Sequence, residues 1–105
     1  MDNQMKRGLL DACVLASIRS APSYGYQIVK DLTPCVEISE SRLYPILRRL
    51  EAAKMLTVRS AEHNGRLRKY YHITEQGLRR LGEYRDDCRE LLNVCQYIVG
   101  EEARP

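Results

Sequence analysis

The sequence has no apolar run that approaches the ~18 residues of a membrane-spanning helix. Its first eight residues, MDNQMKRG, contain neither the apolar centre nor the small-residue cleavage site of a secretory signal. These absences predict a soluble protein of the cytoplasm. With 105 residues, of which 44% are apolar, the chain is long enough for one domain with a single hydrophobic core.

Metal-binding and catalytic motifs are missing as well. The four cysteines form no Cys-x-x-Cys pair, and the chain offers only two histidines to complete a site, so no zinc pattern is present. There is no glycine-rich phosphate loop, and no nucleophile, base and orienting group occur together. The sequence predicts a protein that is not an enzyme and that needs neither a metal nor a cofactor.

The chain does contain a localised excess of positive charge. Residues 39–72 hold eight Lys and Arg against three acidic residues, a net charge of +5 in a chain whose formal net charge is +3. The residues before this segment balance to zero, and those after it sum to −2. A concentrated basic surface is typical of nucleic-acid-binding proteins, so double-stranded DNA is the predicted partner.

The basic segment begins with a predicted helix over residues 39–53. Its apolar residues follow the i, i+3, i+4, i+7 spacing of a buried face and are Leu43, Ile46, Leu47 and Leu50. The residues on and beside the opposite face are polar or basic, and we expect them to contact DNA. They are Ser41, Arg42, Tyr44, Arg48 and Arg49.

Two helices are predicted before this one. Apolar residues at helical spacing indicate the first over residues 5–18. Ser23 is the predicted N-cap of the second, and Thr33-Pro34 is expected to terminate it.

The basic segment continues into two strand patterns, residues 55–60 and 67–73, that are joined at Asn64-Gly65. Asn-Gly is a strong hairpin signal because both residues adopt positive φ readily. Arg66 lies at the predicted turn, and Arg68 and Lys69 follow on the second strand. A helix followed by a basic hairpin is the layout of a winged helix-turn-helix, a mainly α fold with a small β-hairpin. In that arrangement we expect the helix to read base edges in the major groove, while Arg66 reaches the neighbouring minor groove or its phosphates.

Thr74 is the predicted cap of a last, long helix. From Thr74 to Val99 it would extend about 39 Å, more than a small winged domain covers. Apolar residues step along it by three and four positions, which predicts a homodimer interface. These are Leu81, Tyr84, Cys88, Leu91, Cys95 and Ile98. The chain is accordingly divided into a DNA-binding domain (1–73), a dimerisation helix (74–100) and a tail (101–105).

Four segments together resemble the PadR family of bacterial transcriptional regulators. They are Leu9–Ile18, Tyr24–Ile28, Leu43–Glu51 and Arg68–Gly77, and they span most of the chain. The combination of Leu-Tyr-Pro on the third helix with Arg-Lys-Tyr-Tyr and Thr-x-x-Gly further on is specific. The resemblance implies a homodimeric winged-helix repressor of the short subgroup, in which one last helix performs dimerisation. Such a repressor would occupy a two-fold operator and block polymerase.

The resemblance also bears on the signal that releases the repressor. Some relatives bind flat aromatic or cationic molecules between the subunits, next to an aromatic residue of the last helix. The corresponding position here is Cys88, and the chain has no tryptophan. Cys88 and Cys95 lie seven residues apart and therefore on one helix face, so thiol oxidation stands beside a small effector as the release signal. Arg42 replaces the small residue that relatives commonly have before Leu-Tyr-Pro, so the operator sequence does not transfer.

A different class of function is a protein-interaction module, in which the winged helix is a rigid scaffold and the last helix binds another protein. The net +5 segment favours DNA instead. Binding to random duplex DNA at low salt, with a steep loss as salt rises, distinguishes the two.

Overall fold

The computed structural model describes residues 3–100 of the chain. Three helices are followed by a two-stranded antiparallel sheet and a fourth, long helix, which confirms the predicted winged helix-turn-helix. The elements are α1 (Asn3–Ser17), α2 (Gly25–Leu32), α3 (Glu40–Ala52), β1 (Leu56–His63), β2 (Arg66–Ile73) and α4 (Glu75–Val99). None of the helices in this part of the chain is long and apolar enough to cross a membrane.

The core lies between α1, α2 and α3 and is closed by the base of the hairpin and the first turns of α4. Each helix contributes side chains that are buried almost completely, among them Leu15 of α1, Ile28 of α2 and Leu43 of α3. The four apolar residues predicted for the buried face of α3 are all in this core. Burial of one face leaves the opposite face of α3 at the protein surface.

The ends of α3 agree with the predicted ends, with Ser39 and Ala53 as its caps. The Ser39 hydroxyl oxygen accepts a hydrogen bond from the Arg42 amide at 3.3 Å, which satisfies one of the free donors of the first turn. After the helix, Lys54 adopts a φ of 63°, and the chain turns into β1.

The predicted N-cap of α2 is wrong. Tyr24 occupies the cap position without a side-chain hydrogen bond, and Ser23 lies one residue earlier. The Ser23 backbone instead pairs with Tyr71 of β2, through bonds of 3.2 and 2.7 Å. This bridge holds residue 23 in an extended conformation beside the hairpin, so its hydroxyl is not placed to cap the helix.

The hairpin turns at Asn64-Gly65 as predicted, with φ values of 52° and 80°. Both strands are longer than their apolar patterns indicate, because His63 pairs with Arg66 and the ladder continues without interruption to Leu56 and Ile73. The added residues are exposed and none is a large apolar side chain, so backbone pairing extends the sheet through them. We call the outer part of the hairpin, residues 59–70, the wing.

The first turn of α4 is attached to the turn that follows α3. The Thr74 hydroxyl accepts the Gly77 amide at 3.0 Å, as expected for the predicted cap, and donates to the Lys54 carbonyl at 2.7 Å. The Thr74 amide donates to the Met55 carbonyl at 3.0 Å, and the Gln76 side chain donates to the Ala53 carbonyl at 3.2 Å. These bonds fix the start of α4 relative to the end of α3.

Leu81, predicted in the dimer interface, is instead buried in its own subunit, with 4% of its surface exposed. Tyr84 is partly buried against the same core. The first turns of α4 pack on α1, and a helix that covers its own core has the same residue spacing as one that covers a partner. Periodicity therefore could not show where along α4 the internal contacts end.

Beyond Tyr84 the helix leaves the core. Most of its apolar residues there are exposed, including Leu92 at 57% and Ile98 at 75%. The described chain measures 56 × 25 × 25 Å. The predicted tail, residues 101–105, lies outside the described residues.

Gly77 should be essential to the attachment of α4. A Cβ atom at this position would overlap the Met55 carbonyl oxygen and come within 2.8 Å of Ile73 Cγ1. We expect Gly77→Ala to lower the free energy of unfolding by about 1–3 kcal/mol, because backbone cannot move aside cheaply. Urea denaturation followed by circular dichroism measures the change.

Gly82→Ala on the same helix is the matched control. No atom lies within 4 Å of a Cβ built there, so the substitution should raise the free energy of unfolding by about 0.5–1 kcal/mol. Equal effects of the two substitutions would contradict a steric role for Gly77.

Candidate nucleic-acid interface

The exposed face of α3 forms a ridge on the protein surface. Ser41, Pro45 and Arg48 lie on it and are exposed. A groove runs along each side of the ridge, one towards the wing and one towards the start of α1. The residues predicted to contact DNA are divided between these two grooves.

The wing-side groove has a volume of about 980 Å³ and lies between α3, the start of α2 and the wing. It brings together five of the predicted residues, Tyr44 and Arg48 of α3 with Arg66, Arg68 and Lys69 of the wing. Two carboxylates, those of Glu40 and Glu51, also line it. The four basic residues outnumber them, which leaves this groove positively charged.

The α1-side groove is smaller, about 430 Å³, and holds the other predicted residues, Ser41, Arg42 and Arg49. Lys6 and Arg7 of α1 face them across the groove. Lys6 and Arg7 could not be singled out from the sequence, because the segment before residue 39 has no net charge.

Arg49 differs from the other basic residues of α3. Its guanidinium forms an ion pair with Asp11 of α1, whose side chain is only 15% exposed. This pair joins α3 to α1 across the core boundary and compensates the Arg49 charge. Among residues 3–100, no ion pair involves Arg42 or Arg48.

Tyr44 lies against the start of α2. A Cβ atom on Gly25 would come within 2.7 Å of the Tyr44 hydroxyl and 3.1 Å of its ring, so glycine is what allows this contact. The hydroxyl donates a hydrogen bond to Glu40 Oε2 at 3.1 Å. The pKa of Tyr44 is raised, mainly because the phenol is partly buried and to a smaller extent because of this hydrogen bond and the Glu40 charge. The phenol therefore remains a neutral hydrogen-bonding group at the edge of the ridge.

Arg68 contacts one of two paired tyrosine rings. Its guanidinium carbon lies 3.9 Å from the centroid of the Tyr24 ring, and Tyr24 meets the Tyr70 ring edge to face at 5.8 Å. Adjacent strand residues face opposite sides of the sheet, and Tyr71 is buried in the core whereas Tyr70 joins this cluster. Tyr24 lies more than forty residues from Arg68 in sequence, so no local pattern predicted the contact.

The cysteines are free thiols. Cys13 is half-buried, and burial, with smaller effects of Cys35 and Cys88, raises the pKa of its thiol. Cys35, Cys88 and Cys95 are exposed. Within residues 3–100, no group of three or more His, Cys, Asp or Glu is arranged to hold a metal ion.

A three-helix core with a basic hairpin beside an exposed third helix defines a winged helix-turn-helix protein. The family model for the transcriptional regulator PadR-like family matches residues 14–83, two thirds of the chain. The chain belongs to this family.

Several solved structures are similar to this chain. The smu.1704 protein of Streptococcus mutans UA159 is 36% identical, with a TM-score of 0.83 over 89% of this chain and 88% of that one. A PadR-like transcriptional regulator of Bacillus cereus strain ATCC 14579 is 30% identical, with a TM-score of 0.82 over 92% and 97%. Bacillus subtilis PadR in complex with operator DNA shares the fold at 22% identity, with a TM-score of 0.68 over 72% and 46%.

The Tyr24 ring should contribute to DNA affinity by positioning Arg68. Tyr24→Leu removes the ring beneath the guanidinium, whereas Tyr24→Phe retains it. Loss of a contact worth about 0.5–1 kcal/mol should weaken binding to duplex DNA about 2- to 5-fold in the Leu variant. Fluorescence anisotropy at fixed salt measures the difference, and equal affinities of the Leu and Phe variants would exclude this role.

Proposed function

We propose that this protein is a sequence-specific transcriptional repressor that binds a two-fold operator as a homodimer. The observation that carries the proposal is the exposed ridge of α3 between two basic grooves, one of which it shares with the wing. A helix with a free polar face and a basic hairpin beside it can place side chains in adjacent grooves of one duplex. Membership of the PadR-like family supports the regulatory role.

The ridge and the wing have different tasks in this proposal. Ser41, Arg42, Tyr44 and Arg48 read base edges in the major groove, where side-chain hydrogen bonds distinguish the base pairs. In the wing, Arg66 next to the hairpin turn reaches the neighbouring minor groove or its phosphates, while Arg68 and Lys69 hold the backbone. Arg49 contributes little charge of its own, because Asp11 compensates it.

The homodimer forms through the outer half of α4, residues 88–99. The helix face that packs on its own core through Gly77, Leu81 and Tyr84 continues along Cys88, which is exposed, and Leu91, which is half-buried. Cys95 and Ile98 extend the same face, and both are exposed. A second copy, arranged by a two-fold axis, would bury these residues against their equivalents.

Release from the operator follows a change in how the two outer helices pack. A small aromatic or cationic molecule between the subunits is one signal that would cause it. Oxidation is the other, since Cys88 and Cys95 are exposed free thiols on one face of α4. Either event would alter the separation of the two α3 ridges, which the operator spacing must match.

Removal of basic residues should affect DNA binding in different ways in the wing and in α3. Arg66→Ala or Lys69→Ala should weaken binding to all duplexes and make the salt dependence shallower by about one unit per lost phosphate contact. Arg42→Ala should instead cost about 1–3 kcal/mol of discrimination at one base position, if its contact with guanine is bidentate.

The measurement is the ratio of affinities for a selected operator and a random duplex, at several salt concentrations. If Arg42→Ala left the ratio of operator to random-duplex affinity unchanged, Arg42 would not be a base-reading residue. A wild-type protein that does not bind duplex DNA at low salt would refute the proposed function as a whole.

Leu92→Lys should disrupt the dimer. Leu92 is 57% exposed and lies one turn beyond Cys88, at the edge of the proposed interface, so its replacement should cost little packing within one subunit. Two lysines brought together at the interface should repel each other and produce monomers in sedimentation, with the helical circular dichroism retained. Operator affinity should fall because one half-site contact is lost.

Asn93→Lys is the control, since residue 93 adds the same charge on the opposite face of the helix. It should leave the dimer intact. A wild-type protein that sediments as a monomer would instead favour the alternative function, in which α4 binds a different protein.

A further inference from the structure

The α1-side groove is the more positive of the two grooves beside α3. Its charged lining residues are Lys6 and Arg7 of α1 with Arg42 and Arg49 of α3, and no acidic residue is among those described there. The wing-side groove also has four basic residues but includes Glu40 and Glu51. Asp11 compensates Arg49, which leaves Lys6, Arg7 and Arg42 as three charges on this side without an ion pair among residues 3–100.

The basic side chains of the α1-side groove lie at the surface and are not part of the core. Lys6, Arg7 and Arg42 are all exposed, and they make no ion pair within the described part of the chain. Like charges on two neighbouring helices repel each other and lower stability unless an anion lies between them. A surface of this kind is suited to a polyanion such as a phosphate backbone.

The position of the α1-side groove indicates which phosphates of the duplex it would contact. A major groove that receives a helix is bordered by two phosphate backbones, one on each side of the helix. The wing-side groove faces one of them, because the wing must pass over that backbone to reach the neighbouring minor groove. The α1-side groove lies across the ridge and faces the other.

We propose that Lys6 and Arg7 bind the phosphate backbone on the side of the major groove away from the wing, beside the Arg42 side chain that reads base edges. This inference rests on the proposed DNA-binding function and adds a second phosphate contact surface, contributed by α1. Each subunit then contacts both DNA strands, on either side of the base edges that α3 reads. The two contacts fix the rotation of α3 about its own axis, which contacts from one side cannot do.

The test compares the double variant Lys6→Ala/Arg7→Ala with the control Arg19→Ala/Lys30→Ala. Both remove two exposed positive charges, but Arg19 and Lys30 lie outside both grooves. Binding to a random-sequence duplex is measured by anisotropy across a range of NaCl concentrations. We expect the slope of log affinity against log salt to become shallower in the groove variant by about 1.8 per bound subunit, or about 3.6 for the dimer, since each lost phosphate contact removes about 0.9. The control should stay close to wild type.

A second measurement locates the contact on the DNA. Neutral methylphosphonates replace phosphates of a selected operator on one side of the major groove or on the other. The Lys6/Arg7 variant should lose its sensitivity to neutralisation on the side away from the wing and keep it on the wing side. Arg66→Ala/Lys69→Ala should show the opposite pattern.

The outcomes separate this inference from the proposed function. Equal salt slopes of the Lys6/Arg7 and Arg19/Lys30 variants, with normal wild-type binding, would overturn the α1 contact and leave the regulator intact. Loss of sensitivity on the same side in the α1 and wing variants would overturn the assignment of the backbone. A wild-type protein without duplex binding would overturn both proposals.

Discussion

The arrangement of this protein depends on the hydrogen bonds that join the start of α4 to the turn after α3. Thr74 caps its own helix and bonds to the Lys54 carbonyl, so one hydroxyl serves both elements. Gly77 allows the helix to approach the Met55 backbone closely enough for these bonds to form. Because the turn at residues 53–55 ends α3 and begins β1, the same junction orients the exposed helix, the hairpin and the long helix relative to one another.

Within this arrangement α3 has two separate tasks. Its apolar face, centred on Leu43 and Leu47, holds the helix in the core, and burial of such side chains stabilises the fold by about 1.5–3 kcal/mol each. Its other face makes few internal contacts, except where Arg49 pairs with Asp11 and Tyr44 bonds to Glu40. Substitutions at Ser41, Arg42 or Arg48 should therefore change recognition with little effect on stability.

Periodicity and turn chemistry predicted most of the fold from the sequence. The spacing of Leu43 and Leu50 identified the buried face of α3, and Asn64-Gly65 located the hairpin, because both signals arise from local geometry. The failures involve contacts between distant segments. Ser23 does not cap α2, because its backbone pairs with Tyr71 of β2. Leu81 is buried in its own subunit, because the start of α4 packs on α1. Of the candidate interface, the sequence identified α3 and the wing. It missed Lys6, Arg7 and Tyr24, whose positions beside the interface are fixed only by tertiary structure.

The length of α4 has a mechanical consequence. Its 25 residues form one uninterrupted helix, about 37 Å long, with its inner end bonded rigidly to the turn after α3. In the proposed dimer, such a helix would act as a lever whose pivot is the crossing point with its partner. The middle of residues 88–99 lies about 28 Å from the inner end of α4, so a rotation of about 10° at the crossing would displace that inner end by about 5 Å. Because displacement grows with distance from the pivot, a small change in packing at the crossing would produce a larger movement of α3 in the proposed dimer.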